Sequence, residues 1–399
     1  MKILLLCNKP PWPPLEGGPI AMNAMVKGLI ESGHQVKVLA VNARKYNVNA
    51  SDIPESYKSE TGIELVEVDL SLRLLPALWS FIKRESYHVS RFISNDFKAA
   101  LKRILVNEKF DIIQFETLYT TPYIPLIRSL SDAKLVLRAH NIEHLIWKRI
   151  AGGETNPLKK FYLSHLASAL EKYEKQTLNL LDGVVAITAT DASWFNSVKS
   201  NLPVTAIPFG MKTTAAGAAE SSPHAHKNFF HLGSMNWMPN QEGIRWFLKE
   251  VWLEATKLFP GITFSLAGRS MPGEFSKLSA PGIVVDGEVP DASEYMKQHG
   301  VMIVPLFSGS GIRIKIIEGM MAGKAIITTP VGAEGINYTH GVNILIVETA
   351  GEMLKAIEFA LKNPEAIDSI GLAARKLVAA DHNNDVLMQK LNSFYTDLY

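Results

Sequence analysis

Residues 305–335 read PLFSGSGIRIKIIEGMMAGKAIITTPVGAEG. The apolar run from Val301 to Leu306 leads into this stretch as a strand, and Ser308-Gly309-Ser310-Gly311 follows as a loop of small residues. The spacing from Ile312 to Met321 predicts a helix that Gly323 ends, and residues 325–329 (AIITT) start the next strand. A strand, a crossover helix and a second strand form a parallel β-α-β unit, the repeat from which doubly wound sheets are built. The same loop is suited to an anion. Small residues let the backbone approach a ligand closely, and the free N–H groups of a helix start point toward it. The pattern is not G-x-G-x-x-G, because Ile314 occupies the third glycine position.

Working outward, the same alternation runs in both directions. Toward the amino terminus, strands are predicted at 2–7, 35–41, 63–70, 111–116, 134–140, 183–188 and 204–208; Pro10 to Pro19 form a loop, and a helix runs from there to about Ser32. A second set lies at 229–233, 263–268, 283–289, 301–306, 325–329 and 343–348. Short apolar runs bounded by Gly, Pro, Asp and Asn suit central parallel strands. Between the sets, residues 211–226 are small and polar without apolar periodicity, which is linker chemistry. The expected fold class is therefore α/β, with two Rossmann-like doubly wound domains at 1–210 and 227–380. A last helix, 381–399, carries Val386, Leu387, Leu391, Phe394 and Tyr395 back onto the first domain.

At 399 residues, the chain is long enough for two cores. Hydrophobic residues make up 47% and charged residues 20%, which excludes disorder; a net charge of +2 gives no reason to expect a nucleic-acid partner. The single cysteine, Cys7, reads as a buried strand residue and excludes an internal disulfide or a cysteine-based zinc site. The apolar run at the start stops at Cys7, too short for a secretory signal, and no stretch approaches a membrane span. The expected location is cytoplasmic, with peripheral contact at the inner face of a membrane. For that contact the sequence offers 71–110, with eight Lys/Arg, three acids and interleaved Trp79, Phe81, Tyr87 and Phe92. The other account is a solvated helix face whose aromatics enter the core.

Arg313 and Lys315 fall in the first turn of the predicted helix, where cations oppose the helix dipole unless an anion is bound. Arg313 is suited to grip phosphate oxygens, and Lys315 to act as a point charge. Glu318, one turn on, is suited to accept hydrogen bonds from vicinal ribose hydroxyls. The plain alternative is a solvated Lys–Glu pair. His140 ends a predicted strand, where doubly wound sheets bind ligands; it is suited to contact a sugar or take a proton, or else is a structural histidine paired with Glu143. No His/Asp/Glu spacing suggests a metal site, and there is no G-x-S-x-G elbow.

The block Gly309 to Lys324 with Val331-Gly332-Ala333-Glu334-Gly335 resembles the retaining family-4 glycosyltransferases (glycosyl transferases group 1) with the GT-B fold. Supporting matches are Gly17-Gly18, Ala139-His140-Asn141-Ile142-Glu143, Tyr173-Glu174, and Gly233-Ser234 followed by Trp237, Pro239, Asn240 and Gly243. The resemblance implies two domains facing across a cleft, and retaining transfer of a sugar, most simply a hexose, from a nucleoside diphosphate sugar to a glycan or lipid-linked acceptor. It implies no metal and no cofactor, the diphosphate being held by cations and helix N–H groups. Under it, Glu318 matches the second glutamate of a paired motif, Gly18 the loop that closes on the phosphates, His140 a histidine near the transferred sugar, and Glu288 and Val289 the nucleobase position. Two features depart from the pattern. Ser310 stands where the first glutamate belongs, and the usual Arg…Lys pair after the second domain's first strand is replaced by Ser234 and Gln241, so that Arg313 and Lys315 are expected to take over the phosphate charge. Two alternatives are a sugar-nucleotide epimerase of the same fold and a non-catalytic partner subunit with a decayed donor site.

Overall fold

Strand β1, Lys2–Cys7, is buried from Ile3 onward, as expected of an apolar run covered on both faces. The structure is a computed structural model that describes residues 1–15, 17–44, 47–71, 86–211, 227–309 and 311–399. The expectations for Ser310, for the linker 212–226, and for Arg73, Trp79, Phe81, Lys83 and Arg84 lie outside those residues. The chain divides into two compact units, one of Met1–Met211 with Asn384–Tyr399 and the other of Lys212–Asn383.

The first unit is a seven-stranded sheet ordered β3-β2-β1-β4-β5-β6-β7, parallel throughout. Its remaining strands are β2 (Gln35–Asn42), β3 (Glu64–Glu67), β4 (Ile112–Phe115), β5 (Lys134–Ala139), β6 (Gly183–Ala186) and β7 (Val204–Ala206). Burial follows position in the sheet. Central β4 and β6 are buried at every residue, whereas β3 and β7 at the two edges are half-buried. The order reverses between β1 and β4, and that is the place where an open parallel sheet leaves a crevice at its carboxyl ends.

The second unit is a six-stranded parallel sheet ordered β10-β9-β8-β11-β12-β13. Its strands are β8 (Asn228–Leu232), β9 (Thr263–Ala267), β10 (Ile283–Gly287), β11 (Val301–Val304), β12 (Ile326–Thr328) and β13 (Leu345–Ile346). Here the reversal lies between β8 and β11. The helix Met238–Phe247, which follows β8, packs so closely on the chain leaving β11 that a Cβ on Gly243 would lie 1.7 Å from the Pro305 carbonyl oxygen. Only glycine permits that approach.

Several elements differ from the sequence reading. The helix after the 305–311 loop begins at Ile314, not Ile312, which moves Arg313 to the capping position outside it. The first-unit helix already starts at Gly17, so the Pro-rich loop is shorter and the glycine pair opens the first helical turn. In the 71–110 segment, Tyr87 and Phe92 are buried, while Lys98 and Lys102 line the solvated side of the helix Asn95–Asn107. Those two aromatics belong to the core rather than to a surface contact.

The carboxyl-terminal helix Asn384–Thr396 is part of the first unit's core. Leu387, Met388, Leu391 and Tyr395 pack with Ile3, Leu5, Cys7, Met25, Val136 and Ile207, and Val386 is exposed. The Tyr395 hydroxyl donates to the Gln114 side-chain oxygen on β4. Leu391→Ala removes a fully buried side chain and is expected to cost about 2–5 kcal/mol of stability. Urea unfolding of the full chain followed by Trp fluorescence checks this, and an unchanged midpoint would show that the helix is dispensable to the first unit.

Candidate functional site

The second unit concentrates polar groups at its reversal point. Beyond β11, Gly309 and Gly311 take φ of 109° and 76°, so the chain turns there as glycine readily does. A Cβ on Gly309 would lie 3.0 Å from the Trp237 ring and 3.1 Å from Arg313 Nη2. Arg313 is only 5% exposed. Its Nη1 donates to the Gly311 carbonyl, Nη2 lies 3.5 Å from the Val331 carbonyl, and the guanidinium sits 5.6 Å from the Trp237 ring centre. The structure corrects the expected position of Arg313 in the first helical turn. It lies before the helix, and its fork faces the carbonyls of Gly311 in the loop and of Val331 beyond the next strand. Ile312, between Gly311 and Arg313, is half-exposed.

Lys315, by contrast, lies within the helix. It is half-buried in the first helical turn, and its Nζ donates to Asn240 Oδ1 at 2.5 Å and lies 3.5 Å from His231 Nε2. His231 Nδ1 lies 2.8 Å from the Ile303 carbonyl, which only accepts, so the proton is on Nδ1 and Nε2 offers a lone pair. Burial, reinforced by Lys315, keeps His231 neutral by pushing its pKa well down. A Cβ on Gly233 would lie 3.1–3.2 Å from Asn240 Nδ2, His231 Nε2 and Lys315 Nζ. The missing side chain thus leaves a small polar cup at the end of β8. Ser234 closes its rim, its carbonyl taking a 2.7 Å bond from Asn240 Nδ2. Burial, aided by the nearby Arg313 charge, lowers the Lys315 pKa to about 7.

Glu318 lies on the same helix and is half-buried. It makes no hydrogen bond or ion pair among the described residues, so the Lys315–Glu318 pair that a plain surface helix would show is absent there. Burial alone raises its carboxyl to about 7. Glu288, just past edge strand β10, is exposed and pairs with Arg269 at 2.9 Å; Val289 beside it is half-exposed. No described contact joins these two to the Lys315 cup.

The first unit has its own cluster at the β1/β4 reversal. His140, just past β5, places Nε2 3.0 Å from Glu116 Oε2. Glu116 is wholly buried; it also accepts from Arg138 Nη1 at 3.1 Å and from Gln114 Nε2 at 2.6 Å. Burial would raise this carboxyl, but the Arg138 charge and the His140 and Gln114 bonds outweigh burial and hold it low. Burial lowers the His140 pKa, so the ring is neutral, gives its Nε2 proton to Glu116 and keeps a lone pair on Nδ1. The expected His140–Glu143 pair is not formed. Glu143 instead accepts from the Tyr119 hydroxyl at 2.7 Å, and its backbone N–H donates to Glu174. Burial raises the Glu143 carboxyl to about 7, against the Tyr119 bond and a bond from Asn141 that lower it. Gly18 opens the first helix against Lys9, whose Cε would lie 2.6 Å from a Cβ there, and exposed Gly17 precedes it.

With this geometry in place, comparison with known proteins gives a consistent result. Residues 17–214 match the family model described as Glycosyltransferase Family 4, and residues 226–363 match the one described as Glycosyl transferases group 1. The chain belongs to the group 1, family-4 glycosyltransferases. A Klebsiella pneumoniae relative described as an uncharacterized 44.6 kDa protein in the cps region is 23% identical over 96% of this chain and 97% of its own length. Sucrose-phosphate synthase from Thermosynechococcus elongatus shares the fold at a TM-score of 0.71 and 16% identity, covering 100% of this chain and 99% of that one. Anabaena HepE, solved in complex with UDP, does so at a TM-score of 0.65 and 13% identity, with both chains covered in full. The chain is thus a GT-B glycosyltransferase built from two parallel α/β units.

Within this glycosyltransferase, His231, Glu116 and Lys9 went unrecognised as site residues in the sequence, and Asn240 was seen only as part of a motif. His231 sits mid-strand in FFHLG, and nothing local marks it. Its strand's place beside the reversal is the signal, and that emerges only once the strand order is known.

Lys315 titrates near neutrality, so a bound anion should hold its proton. Nucleoside diphosphate affinity should therefore fall as pH rises from about 7 to 9, by up to about tenfold per pH unit. Lys315→Met should bind weakly at every pH, with a flatter profile. Isothermal titration calorimetry across that range checks both, and a flat wild-type profile would remove Lys315 from the anion site.

Proposed function

We propose that this glycosyltransferase transfers a hexose from a nucleoside diphosphate sugar to a glycan or lipid-linked acceptor, with retention of anomeric configuration and without a metal. One observation carries the donor half of the reading: a lysine ammonium and a half-buried carboxylate with no partner among the described residues occupy one helix at the sheet reversal. Lys315 takes the diphosphate together with the helix N–H groups, and Glu318 accepts from vicinal ribose hydroxyls. Anabaena HepE has been solved with UDP-glucose, and pneumococcal GtfA with UDP and GlcNAc, which makes uridine diphosphate sugars the first donors to test. The cps region in the Klebsiella relative's description favours a polysaccharide acceptor.

In the reaction so read, the bond from the anomeric carbon to the β-phosphate oxygen breaks as the acceptor oxygen bonds to that carbon on the same face. The acceptor's proton passes to the departing diphosphate oxygen, while Lys315 and the helix dipole stabilise the charge that develops there. In the first unit, the His140 Nδ1 lone pair is the group assigned to a substrate hydroxyl, with Glu116 fixing the tautomer. Charge stabilisation by Lys315 and the helix dipole supplies what a divalent metal supplies in other sites.

A thermal-shift screen of the full chain against UDP, GDP, ADP and their common sugars in EDTA tests the reading. One nucleotide class should stabilise selectively, by about 2.7 kcal/mol at a hundredfold excess over Kd. Glu318→Ala should weaken that binding with little effect on the free protein, because its carboxylate forms no internal bond to lose. NMR of the product formed with acceptor should show the donor's anomeric configuration. A free epimer released without acceptor would favour an epimerase, and the absence of any nucleotide binding would favour a decayed site.

A further inference from the structure

Helices Glu143–Gly153 and Pro157–Thr177 are joined by Glu154, Thr155 and Asn156 and pack against each other. Their packed faces bury His144, Ala151, Leu163, Leu166 and Leu170. Toward the joining turn the burial ends. Every residue from Pro157 to Tyr162 is exposed, whichever side of the helix it lies on, so this end stands clear of its own unit. Yet it is not polar. Leu158 is 83% and Phe161 67% exposed, and Ile150 and Tyr162 are exposed as well. Isolated exposed apolar residues are ordinary, but four at one projecting end form a patch that signals a partner.

The charges at this end indicate which partner. Lys148, Arg149, Lys159 and Lys160 lie at this end, and the acids that meet them among the described residues are Glu154 and, farther along the second helix, Glu171. Lys148 reaches Glu171 at 2.7 Å and Lys159 reaches Glu154 at 2.5 Å, while Lys160 pairs with no acid among the described residues. We propose that this helical tip docks on an anionic lipid surface, with Leu158 and Phe161 entering the headgroup boundary and the lysines meeting lipid phosphates. Long basic side chains around a small apolar insert match such an interface, whose surface potential attracts cations. A second copy of the chain fits poorly, because a two-fold contact would set Lys159 and Lys160 against their own counterparts. A peptide fits poorly too, because it needs a groove and this is a projecting end. The inference deepens the proposed function by locating where the enzyme would meet the membrane of a lipid-linked acceptor, and it rests on that reading for its purpose.

Flotation of the full chain with phosphatidylcholine vesicles, with and without phosphatidylglycerol, tests it. Wild-type protein should float only with the phosphatidylglycerol vesicles, and less at high salt. The pair Leu158→Ser/Phe161→Ser should weaken vesicle association at least about tenfold, and Lys159→Gln/Lys160→Gln should remove the lipid preference. Both pairs are exposed, so folding and nucleotide binding in solution should be unchanged. Binding that ignores phosphatidylglycerol, or that survives both pairs, would overturn the proposal. So would a dimer in light scattering that Leu158→Ser/Phe161→Ser abolishes, or a specific acidic protein partner that Lys159→Gln/Lys160→Gln loses. A failure of the glycosyltransferase reading would appear separately, as nucleotide binding absent from every variant.

Discussion

A parallel sheet sets one constraint from which both candidate sites follow. Each strand must be followed by a crossover before its neighbour can run the same way, so strand carboxyl ends and helix amino ends collect along one edge. Where the strand order reverses, adjacent crossovers leave in opposite directions and no helix fills the gap. Each unit has one reversal, at β1/β4 and at β8/β11. Lys9 and Glu116 follow the two strands at the first, with His140 on the next strand; Gly233 and the 305–311 loop follow the two strands at the second. The backbone therefore supplies the position, and side chains add charge and polar contacts.

The two reversal points treat burial in opposite ways. In the first unit the buried Glu116 carboxylate is answered. Glu116 receives Arg138, His140 and Gln114, and Gln114 is held in turn by Tyr395 from the carboxyl-terminal helix. Such a network fixes a single arrangement, and removing one partner would leave a buried charge exposed to the full cost of its desolvation. In the second unit the costs are left standing. Among the described residues, Lys315 has only neutral partners and is pushed to about 7, and the Glu318 carboxylate has none and is pushed to the same value from the other side. For Lys315, starting from 10.5, this amounts to a few kcal/mol favouring the neutral amine, at about 1.4 kcal/mol per tenfold. A ligand that brings a diphosphate and vicinal hydroxyls relieves both costs at once.

What could be read from the sequence divides along the same line. All the strands were visible as apolar runs, because a strand covered on both faces cannot contain polar residues unless they are paired. Their ends were less visible: 63–70 shortens to Glu64–Glu67, since edge strands alternate weakly and run into loops. The loop and helix of 305–335 were legible because glycine at positive φ and a helix start are both local. His231, Glu116 and the Gln114–Tyr395 bond were not, because each depends on strands or helices far apart in the chain. His140 lies at the end of its strand as expected, but its partner is Glu116, just past the neighbouring strand β4, rather than nearby Glu143.

Arg313 shows why residue type alone misplaces a side chain. In sequence, two cations beside a helix start look equivalent. In the structure they differ by the turn that separates the capping position from the helix. The capping residue is extended, at φ −87° and ψ 92°, and its long side chain folds back over the loop it leaves. There a guanidinium fork meets two carbonyls, of Gly311 and Val331, and an indole face. Those contacts use the planarity that makes arginine good at phosphate, so the charge is directed to the loop's shape. Lys315, two residues on, points toward β8 and keeps a compact ammonium among neutral acceptors. Arg313 still acts on Lys315 through its field, and by lowering the Lys315 pKa it raises the gain that a bound anion would bring.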